Sequence, residues 1–265
     1  MIVRADSLRG FPLGDAVVDC VVTSPPYWGL RDYGVAGQLG QETAPEDYVT
    51  KMVAVFREVW RVLKPGGTVW LNLGDTYASG NQSTHMPGET GKHGYRFDVH
   101  GPVKQANRRR LPGLKPKNLI GIPWRVAFAL QADGWWLRSD IVWAKRNPMP
   151  ESVQDRPTRA HEFIFLLTKS ERYWYDAAAI REAGTGVAHD TTTALIRPCI
   201  LAGCPVGGVV LDPFVGTGTT VSVAEAYGRL GIGFDLNGDY LEMARARLVG
   251  GRQLNLEELT MENAV

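Results

Sequence analysis

Two short segments, almost two hundred positions apart in this 265-residue chain, hold residue types that could do chemistry. The first is Val21-Val22-Thr23-Ser24-Pro25-Pro26-Tyr27-Trp28. A short apolar run ends in a serine, two prolines and two aromatic residues. Consecutive prolines end a strand and stiffen the chain beyond it. They also leave the Ser24 and Pro25 carbonyls as fixed acceptors, because the residue after each has no N–H. Tyr27 and Trp28 can add a flat apolar face. The combination suits gripping a planar base by its face while accepting hydrogen bonds from its amino group. A proline turn over core aromatics is the plainer alternative.

The second segment runs Val209-Val210-Leu211-Asp212-Pro213-Phe214-Val215-Gly216-Thr217-Gly218-Thr219-Thr220, a strand, a glycine turn and a helix start. Gly216 and Gly218 permit close backbone approach, and a helix N-terminus offers unpaired N–H groups. Seventeen residues beyond Gly218, the strand Leu230-Gly231-Ile232-Gly233-Phe234 ends in Asp235, an acid placed to accept both ribose hydroxyls of an adenosine-containing ligand. A phosphate loop is excluded, since no Gly-Lys-Ser/Thr follows. A nicotinamide cofactor stays open, although the third glycine of its fingerprint is absent.

Alternating strand and helix signals must position these segments. Val17 to Thr23 reads as a strand buried on both faces. Apolar residues at helical spacing predict a helix over Tyr48 to Leu63, stopped by Pro65-Gly66-Gly67. Strands follow at Thr68–Leu73, Ser139–Ala144, Glu162–Thr168, Val209–Leu211 and Leu230–Phe234, with helices at Leu119–Leu130, from Thr219, and at Gly238–Leu248. The pattern predicts an α/β fold, a doubly wound, mostly parallel sheet covered on both faces. Its ligands belong at the carboxyl edge of the strands.

At 44% hydrophobic and 22% charged residues the chain sits at the globular average, which removes disordered and coiled-coil readings. No apolar run reaches the roughly 20 residues of a membrane helix, and the first residues form no signal peptide, so no membrane role is expected. Three cysteines without metal spacing predict a reducing, cytoplasmic setting. The net charge is only +1, but Lys104, Arg108, Arg109, Arg110, Lys115 and Lys117 form an acid-free cluster suited to phosphate contacts. A solvated loop is the competing reading. Residues 78–117 read as one long inserted segment, a feature usually tied to function.

Both segments resemble the catalytic and cofactor motifs of amino-group (N4-cytosine/N6-adenine) DNA methyltransferases, in the motif order of that family's beta class. Supporting similarity lies in Arg61 to Gly67 with the strand to Asn72, Asn118 to Arg125, Ile141 to Lys145, Arg156 to Glu162, and Asp235-Leu236-Asn237. The resemblance implies a Rossmann-like methyltransferase domain over 1–265 that uses S-adenosyl-L-methionine, with 78–117 facing DNA and a shortened target-recognition region at 177–193. It implies catalytic roles for Ser24, Pro25, Pro26 and Tyr27. It also implies cofactor contacts from Asp6, Thr23, Asp212, Pro213, Phe214, Gly216, Gly218, Thr219, Asp235 and Asn237. Trp28 joins the basic cluster on the DNA side, and no metal is implied. A helix cap is the alternative for Asp6.

Serine before Pro-Pro-Tyr leans toward N4 of cytosine in that family, with N6 of adenine the close alternative. Carbon-5 methylation needs a nucleophilic cysteine, and Cys20, inside its strand, reads as a core thiol. His161 and Glu162 read as substrate-side or scaffold residues, and Trp143 and Lys145 as packing plus surface charge. Double-stranded DNA is the expected partner, with room for a restriction endonuclease and a homodimer. A nicotinamide-dependent oxidoreductase and a non-catalytic DNA-binding relative are the readings from other classes.

Overall fold

A computed structural model describes residues 1–78, 113–145, 148, 151, 153–181 and 192–248. The strands are β1 (Ile2–Arg4), β2 (Val18–Thr23), β3 (Leu63–Leu73), β4 (Trp136–Ala144), β5 (His161–Thr168), β6 (Val209–Asp212) and β7 (Leu230–Asp235). The helices are α1 (Pro45–Val62), α2 (Ile122–Ala132), α3 (Thr192–Gly203), α4 (Thr219–Ala226) and α5 (Gly238–Arg247), with a short 3-10 turn at Ser7–Arg9. The strands form one sheet in the order β1-β7-β6-β2-β3-β5-β4. Pairings from β1 across to β3 are parallel, whereas β5 is antiparallel to both β3 and β4. Among the described residues, β5 therefore runs against its neighbours. Its first residues lie at the edge where the other strands end.

Each face carries its own apolar layer, because alternate strand residues point to opposite sides. Val21, Val69, Leu71, Leu73, Phe165 and Leu167 pack with Met52, Phe56 and Val59 of α1 and Val126 of α2. Cys20, Val22, Trp70, Ile164 and Leu166 pack with Ile196 and Ile200 of α3. Burying each large side chain contributes about 1.5–3 kcal/mol. Helix α1 follows the predicted spacing, with Pro45 in its first turn and Glu46 and Asp47 near its positive end.

The structure departs from the sequence expectations at three elements. Pro65-Gly66-Gly67 lies inside β3, where a register jump between Val18↔Leu63 and Cys20↔Thr68 bulges the strand. The three-residue strand β1 carries too little sequence to show periodicity and forms by pairing with β7. Helix α3 contains Pro198, a residue that argues against a helix interior. No described helix is long and apolar enough to cross a membrane. Of the 78–117 segment, residues 79–112 lie outside the described residues, as do 182–191 of the 177–193 region.

Candidate active site

The carboxyl ends of β2 and β6 are joined directly. Thr23 Oγ1 donates to Asp212 Oδ1 at 2.7 Å, Thr220 Oγ1 to Asp212 Oδ2 at 2.6 Å, and the Phe214 amide to Asp212 Oδ1 at 3.0 Å. Asp212 is only 4% exposed. Burial pushes its carboxyl up to about 6, against the opposing pull of the Thr220, Thr23 and Phe214 donors. The family resemblance places Thr23 and Asp212 against the cofactor. Both are instead buried; Thr23 gives its hydroxyl to Asp212, which also takes the Thr220 hydroxyl and the Phe214 amide, so the group forms a clamp beneath the site.

Above the clamp, Ser24 and Pro26 share one cavity of about 280 Å³ with Phe214, Gly216, Asp235 and Asn237. Asp6 lines it as well, and its carboxylate also caps the 3-10 turn by accepting from the Leu8 amide at 3.0 Å. The helix-cap role of Asp6 therefore leaves it on the cavity wall. Asp235 accepts from the Gly216 amide at 2.9 Å through Oδ2 and from the Asn237 amide at 2.8 Å through Oδ1. Each oxygen keeps a lone-pair site for a ligand. Burial raises the Asp235 pKa, opposed by these backbone donors. Asn237 caps α5 by accepting from the Asp239 amide at 2.9 Å.

Pro213, Gly218 and Thr219 do not line that cavity. Pro213 is buried, and its carbonyl accepts from the Ser7 hydroxyl at 2.6 Å. Gly218 holds φ +83°, and an added Cβ would sit 2.8 Å from Ala244 Cβ, so it is needed for the turn and the approach of α5. Thr219 Oγ1 accepts from Arg247 at 2.9 Å. A further wall comes from residues without a recognisable motif. Arg31, Tyr33 and Gln38 from the loop after β2 line the cavity with Tyr240 of α5. Tyr33 and Tyr240 meet edge to face at 5.9 Å.

The Ser24–Tyr27 segment rests on a polar cluster that sequence reasoning did not assemble. Asn72 Nδ2 lies 3.1 Å from Ser24 Oγ, 2.9 Å from the Tyr27 hydroxyl and 3.1 Å from Glu162 Oε2. The Tyr27 hydroxyl donates to Glu162 Oε2 at 3.1 Å, and Lys145 pairs with Glu162 Oε1. Lys145 is therefore committed to this carboxylate and is no free surface charge. Burial would raise the Glu162 pKa, but Lys145, Asn72 and the Tyr27 hydroxyl together hold it below its ordinary value. Burial and the adjacent Glu162 push the Tyr27 phenol well up. The Tyr27 ring lies so close to Gly74 that a Cβ there would fall 2.6 Å from it. Pro25 is buried, and the Pro26 carbonyl accepts from the Tyr48 hydroxyl at 3.0 Å.

On the expected DNA side, Trp28 is a core residue instead. It is 5% exposed, and its Nε1 donates to the Glu42 carbonyl at 3.0 Å, so its ring is unavailable to DNA. Lys115 is exposed, and Lys117 is exposed but paired with Asp155 at 2.5 Å. Lys104, Arg108, Arg109 and Arg110 lie outside the described residues. The three cysteines are buried and free, which leaves Cys20 a core thiol. Among the described residues no cluster of three metal-ligating side chains occurs.

A mostly parallel sheet thus carries an acid after one strand, a glycine turn after the next and a polar proline segment after a third, all at one edge and around one cavity, the layout of a nucleotide-cofactor domain. A family described as DNA methylase matches residues 18–191 and 184–246. The chain belongs to that family, the N6/N4 group of DNA methyltransferases, which removes the oxidoreductase reading. The type II methyltransferase M.Cfr9I of Citrobacter freundii is 49% identical over 268 residues, covering 92% of this chain and 84% of that protein. M.SmaI of Serratia marcescens, also a type II methyltransferase, is 45% identical over 262 residues, covering 91% and 87%. Among solved structures, PvuII DNA methyltransferase (cytosine-N4-specific) has a TM-score of 0.66 at 19% identity, covering 97% of this chain and 89% of that one. A putative DNA modification methylase of Thermus thermophilus, TTHA0409, solved with S-adenosyl-L-methionine, has a TM-score of 0.64 at 24% identity, covering 94% and 92%. At these identities the two structures speak for the fold.

Proposed function

We propose that this chain moves a methyl group from S-adenosyl-L-methionine to the exocyclic N4 of a cytosine flipped out of double-stranded DNA. The observation that carries the reading is the single cavity walled by Ser24 and Pro26 on one side and by Phe214, Gly216 and Asp235 on the other. Serine at position 24 and the cytosine-N4-specific fold neighbour support cytosine. N6 of adenine is the alternative within the same family.

The lining residues fit the cofactor's chemistry. Asp235 offers lone pairs to ribose hydroxyls, Phe214 and Leu236 offer apolar walls, and Arg31 offers a cation for the methionyl carboxylate. When bound, S-adenosylmethionine supplies an electrophilic methyl carbon. An exocyclic amino nitrogen is a poor nucleophile, because its lone pair is delocalised into the ring. The Ser24 hydroxyl oxygen and the Pro25 carbonyl accept its two hydrogens and favour a pyramidal nitrogen with a localised lone pair. The same fixed acceptors stabilise the positive charge that develops on nitrogen. The methylated nitrogen then releases a proton, so no strong base is required.

Extruding the base costs a few kcal/mol. Contact with the Tyr27 ring returns about 1–3 kcal/mol. The deciding experiment incubates the protein with labelled S-adenosylmethionine and mixed-sequence duplex DNA, then digests the DNA to nucleosides. N4-methylcytosine is expected. Labelled N6-methyladenine would replace the base assignment. Cofactor binding without any labelled nucleoside would reduce the chain to a non-catalytic relative.

A further inference from the structure

The cluster behind Ser24 and Tyr27 has more acceptors than hydrogens around Asn72. Its two amide hydrogens face three oxygens, on Ser24, Tyr27 and Glu162. Asn72 Oδ1 is buried and finds no partner among the described residues. One arrangement resolves the shortage. Tyr27 gives its own hydrogen to Glu162, at 3.1 Å, and the two Asn72 hydrogens go to Ser24 Oγ and the Tyr27 oxygen. Lys145 serves the other Glu162 oxygen. The Ser24 oxygen then keeps one lone pair, and the tyrosine hydrogen points away from the substrate side.

Strand register builds this row. Val22 pairs with Trp70 and Thr23 with Leu71, so Ser24 continues toward Asn72. Asn72 pairs with Ile164, and Glu162 lies two residues before Ile164 on the same face. Trp143 pairs with Glu162, and Lys145 lies two residues after Trp143. Four side chains from four strands or strand ends thus line up on one face at the substrate edge. A half-buried carboxylate costs desolvation that an apolar filler would avoid.

We infer that Glu162 is a positioning residue, which through Tyr27 and Asn72 fixes the hydrogens of the Ser24–Tyr27 segment so that it presents acceptors to the target amino group. The inference rests on the methyltransferase reading above. In Glu162→Gln the Lys145 ammonium holds the amide oxygen on its own side, which turns the amide NH2, a donor, toward Tyr27. The tyrosine hydrogen then loses its acceptor and turns, and a donor faces a nitrogen that is becoming positive. The groups facing the Glu162 carboxylate are Lys145 from the end of β4, Asn72 from β3, and Tyr27 from the segment after β2. Protonating Glu162 in acid breaks the same circuit.

The test compares wild type, Glu162→Gln, Tyr27→Phe, their double variant and Lys145→Met. It measures S-adenosylmethionine affinity, single-turnover methylation of duplex DNA, and the pH profile of that rate. Glu162 does not line the cofactor cavity, so Glu162→Gln keeps cofactor affinity within about twofold while its rate falls about 10–100-fold. The double variant falls no further than the worse single one, because both cut one circuit. Lys145→Met moves the acid limb of the rate to higher pH, because the lost ammonium no longer favours the carboxylate. Full activity in Glu162→Gln, an additive double variant, or an unmoved acid limb in Lys145→Met would overturn the positioning role alone. A wild type that binds cofactor yet methylates no DNA would overturn this role together with the parent reading.

Discussion

Replacing Asp212 by asparagine should change how stability depends on pH. Asp212 is buried, and its pKa rises from an ordinary 3.8 to about 6, chiefly by burial. A carboxyl with a raised native pKa binds its proton more tightly in the folded than in the unfolded chain. Between pH 4 and 6 the native state therefore holds more protons, and its stability falls as pH rises through that window. The full loss is about 3 kcal/mol above pH 6. For a chain of this size that corresponds to roughly 6–12 °C in Tm. Asparagine keeps the shape, accepts from Thr23 through its oxygen and meets the Thr220 hydroxyl with its amide, and it carries no charge to bury. Thermal unfolding of both proteins without cofactor, at half-unit steps from about pH 4.5 to 8, gives the comparison. The gap between Asp212→Asn and wild type should widen toward high pH in favour of the variant. A gap independent of pH, or one that widens toward acid, would refute the assignment of an ionised, buried clamp.

Three further outcomes rest on the geometry. Gly218→Ala places a Cβ at φ +83° and 2.8 Å from Ala244, so it should lose about 2–4 kcal/mol, read by denaturant unfolding. Asp235→Ala should weaken S-adenosylmethionine binding by about 10–100-fold in calorimetry, since it removes charged acceptors at the end of β7. Trp28→Phe should lower stability by about 1–3 kcal/mol through the lost bond to Glu42 and the smaller ring, yet leave the salt dependence of DNA affinity unchanged.

The parallel part of the fold was legible because its strands are short apolar runs and its glycine turn is local. The meeting of Ser24 with Asp235 in one cavity was legible too, because parallel strands deliver their carboxyl ends to a single edge. Which face each residue takes was not. Thr23 and Asp212 sit in the two motifs, but register turns them toward each other beneath the cavity. Trp28 follows Tyr27 directly and points into the core. Arg31, Tyr33 and Gln38 belong to a loop whose sequence carries no periodicity, and only the closed structure brings them to α5. Asn72, Lys145 and Glu162 needed the direction of β5, and a strand's hydrophobic pattern is the same read in either direction.

That reversal gives the site its second half. A parallel strand in the place of β5 would bring its Thr168 end to the substrate edge and carry Glu162 to the far side of the sheet. Ser24, Tyr27 and Asn72 would then lack both the carboxylate and the Lys145 behind it. The reversed strand therefore supplies the charge that orients the proline segment. Meanwhile the parallel β2–β6 pair, tied by Thr23 and Asp212, fixes that segment against the cofactor turn. The segment between these anchors is held from both sides by hydrogen bonds of 2.7–3.1 Å. Loosening the Asp212 side should disturb cofactor affinity and rate together, since the clamp lies under the glycine turn. Loosening the Glu162 side should disturb the rate alone.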